Sequence, residues 1–163
     1  MYENVIKRLC YCFSSINNKY YRENSKTVFD VLHTSQWTIF LYMMANEIYK
    51  TNGDRKYCDQ IYGLSKMISS ADIYYQVEMP EIWFCDHPQG SVMGRAKYSN
   101  FFSFSQGCTV GNNKGIYPSF GEHVALMSGA KVLGNCHVGH HVILSANTFI
   151  YFFCIRTQPF LEA

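Results

Sequence analysis

The stretch WFCDHPQGSVMGRA at positions 83–96 sets the pair Asp86-His87 between apolar residues and a glycine-bearing turn. An imidazole titrates near neutrality, so His87 can take a proton from an alcohol during attack on a carbonyl and return it to the leaving group. Such general-base help contributes a factor of about 10²–10⁴. The alternative reading of His87 is an exposed turn residue, because DHPQG is itself turn composition. A second acid, Asp72 in ADIYYQV, stands fourteen residues before Asp86. Other histidines invite a metal reading: CHVGHH at 136–141 groups His137, His140 and His141, and His87 and His123 are thirty-six apart. A catalytic zinc normally keeps three protein ligands. The residue five beyond His123 is Ser128, so the His87–His123 pair lacks a third, and no metal is expected.

Side chains of this kind act only if a rigid element holds them, and the second half of the chain supplies one. Phe120, Leu126, Val132, Val138, Leu144 and Ile150 stand six apart, and the residues four after the first five are Val124, Ala130, Cys136, Val142 and Thr148, all small or β-branched. A period of six is neither an amphipathic helix nor an alternating strand. It predicts short strands with a bulky residue pointing inward and a smaller one at each corner, three strands to a triangular turn of about eighteen residues. Tyr98, Phe104 and Val110 keep the spacing in another phase. The interval from 110 to 120 is four residues too long for one hexad, so NNKGIYP should bulge out as a loop, a common place for binding or catalysis.

The first seventy residues follow a helical rule. Trp37, Leu41, Met44 and Ile48 line one face; TNGD at 51–54 breaks the pattern; Tyr57, Ile61, Leu64 and Ile68 resume it. An earlier helix is expected within 3–22. This half reads as a packing and assembly unit that caps one end of the coil.

At 163 residues and 48% hydrophobic, the chain suits one compact domain with an appended helical segment. A net charge of +2 without long runs of either sign gives no footprint for nucleic acid or an anionic membrane. Seven scattered cysteines without a CxxC read as buried thiols of a reducing cytoplasm. MYENVIKRLCYCF does not read as a signal peptide, and WTIFLYMMA and FIYFFCI are too short to span a bilayer.

With ADIYYQV, DHPQGSVMG, SQGCTVG and SGAKVLGNCHVG in place, the stretch from about Gln36 to Phe152 resembles the serine acetyltransferases of the hexapeptide-repeat acyltransferase family. The resemblance implies an α+β, mainly β, fold: a helical N-terminal domain over 1–71 and a left-handed parallel β-helix over 72–152; the tail over 153–163 departs from the family, since YFFCIRTQPFLEA has lost the hexad, and reads as irregular, shortened or appended. The left hand is implied by the resemblance alone, since such crossovers break the usual rule. It further implies acetyl transfer from acetyl-CoA to a hydroxyl, with His87 as base, Asp72 orienting its ring and Asp86 beside the acceptor. Asn112, Ser128 and Ala146 fall at the family's cofactor contacts, Lys131 is placed either to meet a cofactor phosphate or to stand solvated at a coil corner, and Tyr117 falls at the acceptor. The implied assembly is a homotrimer with sites between neighbours, or two trimers joined through their helical halves.

Two departures bear on the acceptor. Where the family has an Arg-His pair before a proline, this chain has Ile116 and Tyr117 before Pro118, which removes the guanidinium expected to clamp a carboxylate. The helical-domain acid that meets the serine amine also has no counterpart. A sugar hydroxyl would need neither group, so a sugar or polysaccharide acetyltransferase is the alternative. A third reading is a structural or partner-binding trimer that kept the coil and lost activity. The zinc-dependent γ-carbonic anhydrases, a further class on this fold, would need the missing third ligand.

Overall fold

The computed structural model of the chain describes residues 2–24 and 26–151, together with the backbone of Cys154–Ile155. Helix α1 (Tyr2–Ser15) ends seven residues before the far limit expected for it and is followed by a short antiparallel pair, β1 (Arg22–Glu23) and β2 (Lys26–Thr27). Helices α2 (Thr34–Lys50) and α3 (Arg55–Ser69) are separated by the TNGD break, where the Asp54 side chain caps α3 by accepting from the Lys56 N–H at 2.9 Å.

The remainder is a parallel solenoid of about four turns with three sheets. The first sheet stacks β3 (Asp72–Ile73), β5 (Val92–Met93), β7 (Thr109–Gly111), β10 (Lys131–Leu133) and β13 (Phe149–Tyr151). The second stacks β4 (Trp83–Cys85), β6 (Phe102–Phe104), β9 (Ala125–Leu126) and β12 (Ile143–Leu144). The third stacks β8 (Ser119–Phe120), β11 (His137–Val138) and β14 (Cys154–Ile155). Register follows the hexads: Val132 pairs with Ile150, Leu126 with Leu144 and Phe120 with Val138, eighteen residues apart each time. Val110 pairs with Val132, a step longer by four residues, and those four form the expected loop.

That loop is a tight hairpin. Asn113 and Ile116 exchange both backbone hydrogen bonds at 3.0 Å, and Lys114 and Gly115 between them have φ of 51° and 80°. Two successive positive φ values give the mirror-image turn whose twist suits a hairpin, and glycine takes the second position without a steric cost.

The bulky hexad residues are inside, as their spacing predicts: Phe120, Leu126, Val132, Val138, Leu144 and Ile150 are all buried, as are Tyr98, Phe104 and Val110. The corner residues Val124, Ala130 and Cys136 are fully buried, whereas Val142 and Thr148 on the last coil are only half-buried.

The helices close the other end. Val5, Leu9, Cys12 and Phe13 of α1 and Ile39, Tyr42 and Met43 of α2 share one core with Trp83, Phe102 and Phe104. The Tyr42 hydroxyl donates to the Val77 carbonyl at 2.5 Å and accepts from the Met79 N–H at 3.1 Å, while Asn46 donates to the Tyr75 carbonyl at 2.9 Å. This corrects the helical stripes. α2 is buried on most sides, its solenoid-facing residues being Ile39, Tyr42, Met43 and Asn46 rather than the Trp37–Met44 stripe alone. On α3 the predicted apolar face is largely turned to solvent, with Tyr57, Leu64 and Ile68 exposed. Three-and-four spacing identifies a face but not what covers it. Beyond Tyr151, the backbone of Cys154–Ile155 still pairs with β11; the rest of the expected tail, 153 and 156–163, lies outside the described residues.

Candidate active site

His87 stands on an insertion. Cys85 pairs with Phe104, and Gln89 aligns with Gln106 through the Gly107 N–H to Gln89 carbonyl bond at 2.9 Å, so the first coil carries two more residues at this corner than the next. Those residues, His87 and Pro88, lift the imidazole off the coil. His87 adopts φ of 47°, a left-handed conformation costly for most side chains but visited more readily by histidine. Sparsely populated conformations of this kind concentrate at functional sites. Its side chain is 77% exposed, and its neighbour is Asp86, whose Oδ1 lies 3.6 Å from Nε2. That is too long for a hydrogen bond and close enough to attract the imidazolium.

Directly along the axis from this insertion runs a column of corner residues. The Gly129 N–H donates to Gln106 and the Asn147 N–H to Ser128, both at 2.8 Å, which stacks Gln89, Gln106, Ser128 and Ala146 in successive coils. The residue after each turns the corner with positive φ: Gly90, Gly107, Gly129 and Asn147. Lys131 begins the adjoining strand, and its Nζ donates to the Gly129 carbonyl at 2.9 Å. The structure thus gathers His87, Asp86, Ser128, Ala146 and Lys131 along one edge. Asn112 and Tyr117 are elsewhere, on the hairpin at the opposite ends of the first-sheet strands. There the Asn112 Oδ1 accepts from the Gly115 N–H at 3.3 Å, and Ile116 and Tyr117 are exposed. Within one chain the first sheet separates the two groups.

The expected contact between Asp72 and His87 is absent within the chain. Asp72 opens β3 and directs its carboxylate toward α3, where Tyr62 donates to Oδ1 at 2.5 Å and Lys66 to Oδ2 at 3.3 Å. Burial, followed by the hydrogen bond to Asp72, raises the Tyr62 hydroxyl above its usual range, and bonds to Tyr62 and Asp72 raise the Lys66 ammonium. The acid beside His87 is Asp86. Neither Tyr62 nor Lys66 carries a signal in the sequence, since their role exists only once α3 lies against the first coil.

A cavity of about 420 Å³ adjoins the insertion. Its solenoid wall is Cys85, Asp86, His87 and Gln89, and its helical wall includes Tyr21, His33, Thr34 and Ser35. The reading of the N-terminal half as packing alone missed these residues of a loop and the start of α2, which follow no periodic pattern. The remaining histidines occupy outward positions. Ring planes of Phe101, His123 and His141 stack at 4.2 and 4.7 Å; the His137 Nδ1 lies 2.7 Å from the Ser119 hydroxyl; the His140 Nδ1 accepts from the Glu122 N–H at 3.1 Å. Among the described residues no three His, Cys, Asp or Glu side chains gather as a metal site, and no helix is long and apolar enough to cross a membrane.

No protein-family model matches the chain. Serine acetyltransferases of Staphylococcus epidermidis and Staphylococcus aureus are each 25% identical to it over 130 residues, covering 69% of this chain and 54% of theirs. The chain therefore spans about half the length of the curated relatives it matches. Solved structures share the fold: the Brucella abortus serine acetyltransferase superposes with a TM-score of 0.70 at 23% identity, covering 90% of this chain and 60% of that one. The Neisseria gonorrhoeae enzyme reaches 0.74 at 17% identity, over 96% and 65%. A serine acetyltransferase solved in complex with CoA gives 0.73 at 19% identity, over 96% and 68%. In sequence and in fold, this helix-capped solenoid is similar to the serine acetyltransferases of the hexapeptide-repeat class.

Proposed function

We propose that the protein is an acetyl-CoA-dependent O-acetyltransferase acting on a small hydroxyl acceptor, L-serine or a similar compound. The observation that carries this reading is His87 itself: an exposed imidazole on a two-residue insertion, beside an acid and a cavity, heading a column of corner residues that ends in Ser128 and Ala146. In the reaction the acceptor hydroxyl attacks the thioester carbonyl while His87 Nε2 takes its proton. The carbon–sulfur bond then breaks, and the imidazolium returns the proton to the departing thiolate, leaving an O-acetyl ester and free CoA. Asp86 favours the imidazolium electrostatically. The extended pantetheine chain would lie along the column at Ser128 and Ala146, where small side chains let it approach, with Lys131 available to a phosphate.

The hairpin with Asn112 and Tyr117 reaches a His87 edge only if chains associate, so the same reading includes a homotrimer with shared sites. The exposed α3 face of Tyr57, Leu64, Met67 and Ile68 is the surface through which two trimers would join. Sedimentation equilibrium tests this: a purely monomeric chain would remove the shared site. Localisation in the cytoplasm belongs to the same proposal, since acetyl-CoA is supplied there.

A sugar acceptor is the second reading, favoured by Ile116 at the position of the expected arginine. Release of CoA thiol from acetyl-CoA, followed with L-serine and with a panel of neutral sugars, tests the assignment. Acceptor-stimulated release supports a transferase. A rate no higher than in buffer with every acceptor would leave only the structural trimer.

A further inference from the structure

A nucleophile and a base meet on the outer face of the third sheet. Tyr98, Phe120 and Val138 are buried hexad residues, so the residues just before them, Lys97, Ser119 and His137, point outward at matching positions of successive coils. The Ser119 hydroxyl lies 2.7 Å from His137 Nδ1. Its partner is a ring nitrogen, whereas the hydroxyls of Ser14, Ser69, Ser91 and Ser99 donate to backbone carbonyls. With the ring proton on Nε2, Nδ1 accepts from Ser119, which is the polarity a general base requires.

The pair is held on a rigid frame. The Ser119 N–H donates to the Cys136 carbonyl at 2.9 Å and the Phe120 N–H to the Lys97 carbonyl at 2.8 Å, so the strand is fixed on both sides. Beneath it the Tyr98 and Phe120 rings stack at 5.4 Å with their planes 7° apart. Pro118, buried, fixes the backbone angle that leads into the strand. Lys97 stands on the side of Ser119 away from His137 and has no ion pair among the described residues. Its positive charge there favours an oxyanion formed at Ser119. His87 is at a different corner, where the second sheet passes to the first.

The geometry points to a second acyl-transfer site, in which Ser119 is a nucleophile activated by His137 and the substrate is a small ester with an acidic leaving group, such as a phenol. The leaving group must be acidic because the strand's N–H groups are committed to the sheet, which leaves Lys97 to meet the oxyanion. Ser119 Oγ attacks the ester carbonyl carbon while its proton passes to His137 Nδ1. The bond from that carbon to the leaving oxygen breaks, the imidazolium gives its proton to the departing group, and an acyl-Ser119 ester remains. Water then attacks this ester, His137 takes the water's proton and hands it to Ser119 Oγ, and the carboxylic acid leaves. The site is independent of the transferase reading, since neither residue belongs to the His87 edge.

The probe is p-nitrophenyl acetate, given to the full chain carrying His87→Gln so that the first site is silent. Nitrophenolate release is followed, and the acid-quenched protein is digested and its peptides weighed by mass spectrometry. An acetyl group on the peptide that holds Ser119 is expected. Ser119→Ala should remove that label and slow nitrophenolate release, His137→Gln should slow labelling about tenfold or more, and Lys97→Met should slow it about threefold. All three side chains lie outside the core, so melting temperatures should stay unchanged. His141→Gln, which removes another exposed imidazole, should leave the label in place. Undiminished release by Ser119→Ala, acetyl on lysine or histidine alone, or undiminished labelling of His137→Gln would overturn the inference. Acetyl transfer to an acceptor by the unsubstituted chain with no reaction at Ser119 would remove this site and leave the His87 reading standing. Labelled Ser119 in a chain that transfers to no acceptor gives the converse.

Discussion

Replacing Leu126 by alanine should reveal whether the hexad positions carry the stability of the coil. Leu126 is 1% exposed and sits between Phe104 and Leu144 in the stacked second sheet. The substitution removes three buried carbons, worth about 2.4 kcal/mol of transfer free energy at about 0.8 kcal/mol each. The cavity left behind adds to this, because the backbone is pinned on both sides: the Ser105 N–H donates to the Leu126 carbonyl at 3.0 Å, and the Met127 N–H donates to Leu144 at 2.9 Å. A loss of about 3–4 kcal/mol is expected. For a chain of this length that lowers the melting temperature by about 6–16 °C. Ile143 is the control, a neighbour of Leu144 that points outward and is 70% exposed. Ile143→Ala should cost under about 0.5 kcal/mol within the chain, and any larger loss should depend on protein concentration. Urea unfolding of both variants decides the matter: equal, small losses would refute the inward assignment of the hexads.

Further outcomes follow from other positions. A Cβ at Gly121 would meet the Gly139 and His140 backbone at 2.7–2.8 Å, whereas one at Gly63 in α3 meets nothing within 4 Å; calorimetric melting should show Gly121→Ala destabilising by about 1–3 kcal/mol and Gly63→Ala stabilising by about 0.5–1 kcal/mol. Burial pushes the Cys12 thiol up to about 11 from its ordinary 9.0, so the unfolded chain loses this proton first. Stability should be intact below about pH 9 and decline toward pH 11, by at most about 1.4 kcal/mol per pH unit from this group, and Cys12→Ala should flatten urea midpoints measured across that range. Asp86→Asn should lower kcat for acetyl transfer with little change in stability. Asp72→Asn should instead weaken the α3 contact and lower the melting temperature, and a larger kcat loss for Asp72 would restore it as the partner of His87.

The coil was legible because burial repeats every six residues from Phe120 to Ile150, and because the surplus between Val110 and Phe120 is itself a count of residues. The hairpin follows from that surplus together with Lys114-Gly115, which suits a turn of positive φ. Faces of helices were harder. Spacing marks Tyr57, Leu64 and Ile68 as one stripe, but whether a stripe meets a core or solvent depends on what packs there, and the solenoid end is covered chiefly by α1 and α2. The site was half visible. His87, Asp86, Ser128 and Ala146 lie on one edge because insertion and corners are fixed by register. Asp72 went to Tyr62 and Lys66 because its direction depends on where α3 lies. Tyr21 and His33 carry no pattern at all, since their cavity forms only when a loop and the start of α2 meet the His87 turn.

The central claim is that His87 moves the proton of the acceptor hydroxyl. Its most direct test is acetyl transfer by His87→Gln, measured beside acetyl-CoA affinity. A fall in kcat/KM of about 10²–10⁴ with the Kd for acetyl-CoA unchanged is the result expected of a lost base. Undiminished transfer by the variant would contradict the assignment.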